Sequence, residues 1–197
     1  IWPLVDTMAL SAHKFGGPKG VGILVVREGK YFEPIVLGGG QERDRRSGTH
    51  NVGGIVAAAE ALRMTDVERT SEVARISALR DQLFAGLLAI EGAHRTIPAE
   101  NSVPGVVHVC LQGIESESLL YLLDEADVCA SAASACASGA MEPSHVLAAM
   151  GLTSDLTMGA LRLSLGHTTT EGDVDRAIEA ITDAVNRIRA VQNRRSL

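Results

Sequence analysis

An α/β fold is what this sequence predicts, and three observations predict it. Short β-branched runs such as "ILVV" and "GVVHVCL" alternate with longer stretches whose apolar residues recur every three and four positions. Hydrophobic residues make up 46% of the 197 positions, ample for a packed core. Near Val67 the texture changes from glycine-rich loops to longer amphipathic helices, which divides the chain into residues 1–65 and residues 66–197.

The elements follow in order. "TMALSAHK" is an apolar stretch ending in a small polar cluster, "FGGPKGVG" is a glycine-proline loop, and "ILVV" is a short strand. "VLGGGQERDRRSGTHN" is a second glycine-rich loop, charged, leading into the small-residue helix "VGGIVAAAEALRM", which Thr49 or Asn51 can cap. Ile76, Leu79, Leu83, Leu87 and Ile90 then share one helix face. "GVVHVCL" alternates as a strand, "SESLLYLLDEAD" is a helix, "VCAS" a short strand, and "EPSHVLAAMG" a short helix with Pro143 near its first turn. "ALRLSLG" is the last strand. A terminal helix follows, with a capping box from Thr170 to Asp173 and a stripe of Val174, Ile178, Ile181, Val185 and Ile188. Two strands without neighbours leave backbone groups unpaired, so the expectation is that further strands lie upstream of Ile1.

Composition removes several function classes. The net charge of −6 argues against a nucleic-acid partner, because phosphate binding needs a basic surface. No stretch approaches the roughly 20 apolar residues of a membrane span. The opening "IWPLVDTMAL" does not read as a signal peptide. Cys110, Cys129 and Cys136 form neither an even disulfide set nor a CxxC pair, which favours a reducing compartment, the cytoplasm by default, and no structural zinc. The histidines offer no metal-ligand spacing. Among 18 basic residues only Lys14, Lys19 and Lys30 are lysines, so a lysine that remains can be one whose work arginine cannot do.

Four places carry chemistry. Lys14 in "SAHK" stands just past a strand end, flanked by Ser11 and His13. It is either a surface lysine at a turn or a desolvated amine able to bind an aldehyde. The "GGGQERDRRSGTHN" loop is either a solvated charged loop or a phosphate site made of backbone N–H groups, arginines and a hydroxyl from Ser47 or Thr49. Arg162 interrupts an apolar strand, where a charge is costly unless paired, with a structural carboxylate or with an amino acid's α-carboxylate. Cys136, in "SAASACASGAM", lacks bulky neighbours and reads as a presented thiol on a loop that bends cheaply, whereas Cys110, Cys129 and His108 read as core residues. Cys136 is therefore expected to be alkylated first.

Taken in order, "SAHKFGGPKGVGILVVREG", "GGGQERDRRSGTHNVGGIVA", "SACASGAMEPSHVLAAMGL" and "LRLSLGHTTTEGDVDRAI" closely resemble the C-terminal half of the NifS/IscS-like cysteine desulfurases. These belong to the class V aminotransferase group of fold-type-I pyridoxal-phosphate enzymes. The resemblance implies that residues 1–65 are the C-terminal part of a large cofactor-binding domain and residues 66–197 the small domain with the cysteine loop. It implies that Lys14 holds pyridoxal 5'-phosphate and that Ser11 and His13 contact its phosphate. Thr49 would bind the phosphate of the partner subunit's cofactor in a homodimer, Arg162 would grip the substrate carboxylate, and Cys136 would accept sulfur from L-cysteine. The persulfide would pass to an iron-sulfur scaffold or another acceptor, including one for tRNA thiolation. Ala132, Ala133 and His167 depart from common family residues without removing a catalytic group. The family's remaining cofactor contacts lie in its N-terminal half, so the expectation is a fragment whose function describes a longer parent. Alternatives are a selenocysteine lyase or other class V lyase, which needs no persulfide, and a non-catalytic remnant.

Overall fold

The computed structural model describes residues 2–132 and 144–195. It divides into two compact units, Ile1–Thr70 and Ser71–Leu197.

In the first unit, β1 (Thr7–Ser11) and β2 (Gly22–Val26) pair antiparallel, with Thr7 opposite Val26 and Ser11 opposite Gly22. A single 3-10 turn, Ala12–Phe15, follows β1 and ends at Gly16, whose φ of 86° is left-handed and suits glycine. The Ala12 amide donates to Val21 O at 3.0 Å and the Gly17 amide to Ala12 O at 2.9 Å, which closes the loop between the strands. A Cβ on Gly17 would stand 2.9 Å from Ala12 Cβ, so the "GG" of this loop answers a close approach. Short turn α1 (Gln41–Asp44) is wound left-handed at Glu42, Arg43 and Asp44, with φ of 50°, 58° and 63°. Three consecutive non-glycine residues in that region each cost roughly 1 kcal/mol or more.

Helix α2 (Val52–Leu88) is continuous where the sequence suggested two helices, one small-residue and one amphipathic. Its start is capped by Asn51, whose Oδ1 accepts from the Gly54 amide at 3.1 Å, and not by Thr49. Within the first unit α2 is tied to the lysine turn by Thr65, whose Oγ1 lies 3.1 Å from Phe15 O.

The second unit is a three-stranded antiparallel sheet in the order β3 (Ala93–Arg95), β4 (Val106–Leu111), β5 (Ala160–Ser164). Val107, Val109 and Leu111 of β4 and Leu161 and Leu163 of β5 point to one face. There they meet Ile76, Leu79, Leu83 and Leu87 of α2, Leu119 and Leu123 of α3 (Ser116–Glu125), and Val174, Ile181 and Val185 of α6 (Glu171–Arg195). The period of two in the strands and of three to four in the helices therefore produces one core, each large side chain contributing roughly 1.5–3 kcal/mol. On the opposite face Cys110 and Ala160 pack against Leu147 of α4 (His145–Ala149). The short helix α5 (Ser154–Thr157) leads into β5. Gly159 admits no side chain, since a Cβ there would collide with Leu111 O of the backbone. At α6 the expected capping box is present: Thr170 N and Oγ1 donate to Asp173 Oδ2 at 2.9 and 2.8 Å, and the Asp173 amide donates back to Thr170 Oγ1 at 3.2 Å.

Other parts of the sequence reading also need correction. Strand β3 went unrecognised, because three residues, "AHR", are too few to show alternation. "VCAS" is not a strand; Ser131 alone bridges to Arg162. Cys129 is exposed and not a core residue, since without strand alternation nothing turns it inward. Among the described residues no helix is long and apolar enough to cross a membrane.

Candidate active site

The first unit presents the lysine turn. Ser11 ends β1 in extended conformation, and the chain then coils for one 3-10 turn that buries Ala12 completely while leaving Ser11, His13 and Lys14 exposed. Alanine at this point anchors the turn and the polar residues on either side of it face outward. The Ser11 hydroxyl makes no capping bond, and the Lys14 amine has neither an ion-pair nor a hydrogen-bond partner among the described residues. Lys30 differs, since its Nζ pairs with Asp6 at 3.1 Å. Lys19 is exposed and, like Lys14, has no partner among the described residues, so what distinguishes Lys14 is its place in the turn beside Ser11 and His13.

The second glycine-rich loop closes upon itself. Ser47 is buried, its Oγ donating to Gly39 O at 2.6 Å and its amide to Val36 O at 3.1 Å. Gln41 Oε1 accepts from the Gly48 amide at 3.1 Å, and Arg46 Nη1 donates to Ser47 O at 2.8 Å. Sequence left Ser47 and Thr49 as alternative ligand hydroxyls. The geometry separates them, because Ser47 holds the loop together whereas Thr49, two residues on, is exposed with no bond to another described residue.

In the second unit Arg162 sits at the centre of β5, opposite His108 of β4. Its neighbours Leu161 and Leu163 enter the core, so alternation turns Arg162 to the other face, where it is exposed. The charge in this apolar strand is thus accommodated by exposure and not by burial. Among the described residues Arg162 has no carboxylate partner. Both of its backbone groups go to Ser131, Arg162 N donating to Ser131 O at 2.8 Å and Ser131 N to Arg162 O at 3.0 Å, while β4 runs alongside on the other flank of the strand. Ser131 leads towards Cys136, which lies outside the described residues, as do Ala133 and Pro143.

His108 is half-buried and bonded, as expected of a satisfied imidazole, with Nδ1 3.0 Å from Thr96 Oγ1. Burial, and then the positive charge of Arg162, hold its pKa below the ordinary histidine value. Burial pushes the Cys110 thiol up to about 11, which leaves it unreactive at neutral pH. Cys129 borders an open cleft of about 250 Å³ together with Asp127, Thr168 and Arg176. The sequence reading missed Thr96, which follows the unrecognised β3; a hydroxyl one step beyond "HR", level with "HVC" of the next strand, is the signal available to find it.

Comparison with known proteins shows what the chain is similar to. Residues 4–177 match the family model described as aminotransferase class-V. The cysteine desulfurase IscS of Methanosarcina thermophila is 42% identical over 185 residues, covering 94% of this chain and 46% of that protein. A cysteine desulfurase of Gluconacetobacter diazotrophicus is 41% identical over 186 residues, with 94% and 46% covered. Among solved structures, a NifS-like protein superposes with a TM-score of 0.83 at 38% identity, over 92% of this chain and 47% of the other. The NifS-like protein of Rickettsia africae gives 0.82 at 26% identity, over 92% and 48%. The chain spans about half the length of the curated relatives it matches. Its mixed α/β architecture corresponds to part of a fold-type-I transferase, and with the family model covering residues 4–177, the chain belongs to the aminotransferase class-V family.

Proposed function

We propose that this chain supplies the cofactor lysine, a phosphate-binding set and the sulfur-accepting thiol of a pyridoxal-phosphate-dependent cysteine desulfurase acting in the cytoplasm as a homodimer. The observation that carries the reading is the turn Ala12–Phe15, which leaves the Lys14 amine unpartnered beside Ser11 and His13. A cofactor with an aldehyde and a phosphate fits these residues, since an amine is free for the first and hydroxyl and imidazole donors for the second. When bound, pyridoxal phosphate supplies the electron sink for negative charge at the substrate Cα.

Lys14 would hold the aldehyde carbon of the cofactor, and its Nζ would be the group that takes the substrate Cα proton as general base. Ser11 and His13 would fix the phosphate of their own subunit's cofactor, and Thr49 that of its partner's, which would make the active site a property of the dimer. Arg162 clamps the α-carboxylate of L-cysteine; its exposed guanidinium, with no carboxylate of its own among the described residues, supports that role. The Cys136 thiolate attacks the substrate sulfur; the Cβ–S bond breaks, its electron pair is protonated on the way to L-alanine, and Cys136 is left as a persulfide for a separate acceptor protein. That acceptor serves iron-sulfur cluster assembly or tRNA thiolation.

The test is turnover of L-cysteine by a full-length family protein carrying this sequence. Release of alanine together with a persulfide on Cys136, both lost in Cys136→Ala, is the expected result. Alanine release at an undiminished rate in Cys136→Ala would replace the desulfurase reading with that of a lyase needing no thiol acceptor.

A further inference from the structure

The face of the β3–β4–β5 sheet away from the main core, covered by α4 at its Cys110–Ala160 end, carries a row of polar residues that the proposed mechanism uses only at one point. Val107 and Val109 of β4 and Leu161 and Leu163 of β5 enter the core, so His108 and Arg162, paired directly across the ladder, project together on the other side. Thr96 flanks His108 on one side and Ser131 bridges Arg162 on the other, giving the order Thr96, His108, Arg162, Ser131 across the sheet. Arg162 is exposed, and among the described residues no carboxylate fixes its guanidinium. A long cationic side chain in that situation samples many rotamers, and a carboxylate must immobilise it on binding unless neighbours have already done so.

We propose that His108 and Thr96 are positioning residues for Arg162: the imidazole, fixed by the threonine hydroxyl, walls one side of the guanidinium and keeps it turned to the open face for an α-carboxylate. This rests on the reading of Arg162 as the carboxylate clamp. The hydroxyl of Thr96 lies 3.0 Å from His108 Nδ1 and 3.2 Å from His108 O. It has one proton; given to the carbonyl, that proton obliges Nδ1 to be the protonated nitrogen, donating to the hydroxyl, and leaves Nε2 as a bare acceptor. A ring with a free lone pair is a favourable neighbour for a guanidinium, whereas a second cation directly opposite would repel it. Burial, and then Arg162 itself, keep the ring in its uncharged form. The row thus allows one positive charge at the place where a carboxylate is to dock.

The test has two arms. In the 197-residue chain with labelled histidine and arginine, NMR should show a single His108 tautomer that Thr96→Val converts to a mixture, and a His108 titration that moves upward in Arg162→Gln. The Arg162 Nε–H should be more ordered than a free surface arginine, should lose that order in His108→Ala, and should regain it in His108→Gln, which stays neutral and polar. In the cofactor-loaded full-length protein, His108→Ala should raise KM for L-cysteine about three- to ten-fold with kcat little changed, and His108→Gln should restore it. If Arg162→Gln leaves KM unaltered, the clamp reading itself is wrong and this inference falls with it. If Arg162→Gln raises KM while His108→Ala changes neither KM nor Arg162 order, the clamp stands and the positioning role is overturned.

Discussion

The two units place their apolar side chains in opposite ways. In Ser71–Leu197 the large residues of three helices and two strands meet in one core, with Leu87, Leu111, Leu119, Leu123, Leu161 and Ile181 fully enclosed. In Ile1–Thr70 the buried residues are Ala12, Ser47 and Ala58 among those described, while Ile35 is 99% exposed, Leu4 87% and Leu37 78%. The first unit is therefore held by turns, ladder hydrogen bonds and pairs such as Lys30 with Asp6, and not by burial. The unpartnered Lys14 and the left-handed turn belong to this under-packed unit. The second unit provides a stiff frame on which Arg162 is mounted.

The largest difference should appear in amide exchange. Amides of β4, β5 and the middle of α6 should exchange orders of magnitude more slowly than those of β1 and β2, because opening the former unfolds a core. Equal protection in both units would break the comparison. Next come side-chain truncations followed by urea unfolding. Leu119→Ala or Leu161→Ala should cost about 2–5 kcal/mol, whereas Ile35→Ala should stay within about 0.5 kcal/mol.

A smaller effect belongs to the start of α6. Thr170→Ala should cost roughly 0.5–2 kcal/mol through loss of the N-cap. The Thr170 amide and hydroxyl, with Arg176, hold the Asp173 pKa down to about 2, below the ~3.9 of an unfolded aspartate. The folded state thus prefers the ionised form, so this stabilisation is complete above about pH 5 and fades as pH falls towards 2. Asp173→Asn should flatten that part of the acid-unfolding curve; an unchanged curve would show that the capping box does not govern it. Least perturbing is cysteine chemistry. An alkylating reagent at neutral pH should modify Cys129 long before Cys110, and Cys129→Ala should leave stability nearly unaltered, both checked by mass spectrometry and melting. Cys129 thus becomes a competitor in any experiment that expects Cys136 to react first.

Much of this was legible from sequence where a signal is local and periodic. The stripe from Ile76 to Leu87, the alternation through "GVVHVCL" and the Thr170–Asp173 box all follow from spacing alone, and the structure realises each of them. Partner-dependent features were not legible. Strand β3 exists because β4 offers Val109 to Leu111 as a ladder, which its own three residues do not announce. For Arg162, "ALRLSLG" shows alternation but not which face is covered. Cys129 differs for a related reason: "VCAS" has the apolar content of a strand, but the chain turns at Asp127, whose φ of 56° is left-handed. At the lysine turn the sequence named Ser11, His13 and Lys14, but it did not reveal that burying Ala12 is what turns them outward.

The central claim is that Lys14 is the lysine that holds the cofactor. In a full-length family protein carrying this sequence and loaded with pyridoxal phosphate, borohydride reduction followed by peptide mapping tests it most directly. The account predicts that the reduced cofactor is recovered on the peptide containing Lys14, and that Lys14→Ala abolishes its retention. Recovery on Lys19 or Lys30, with Lys14 unmodified, would contradict it.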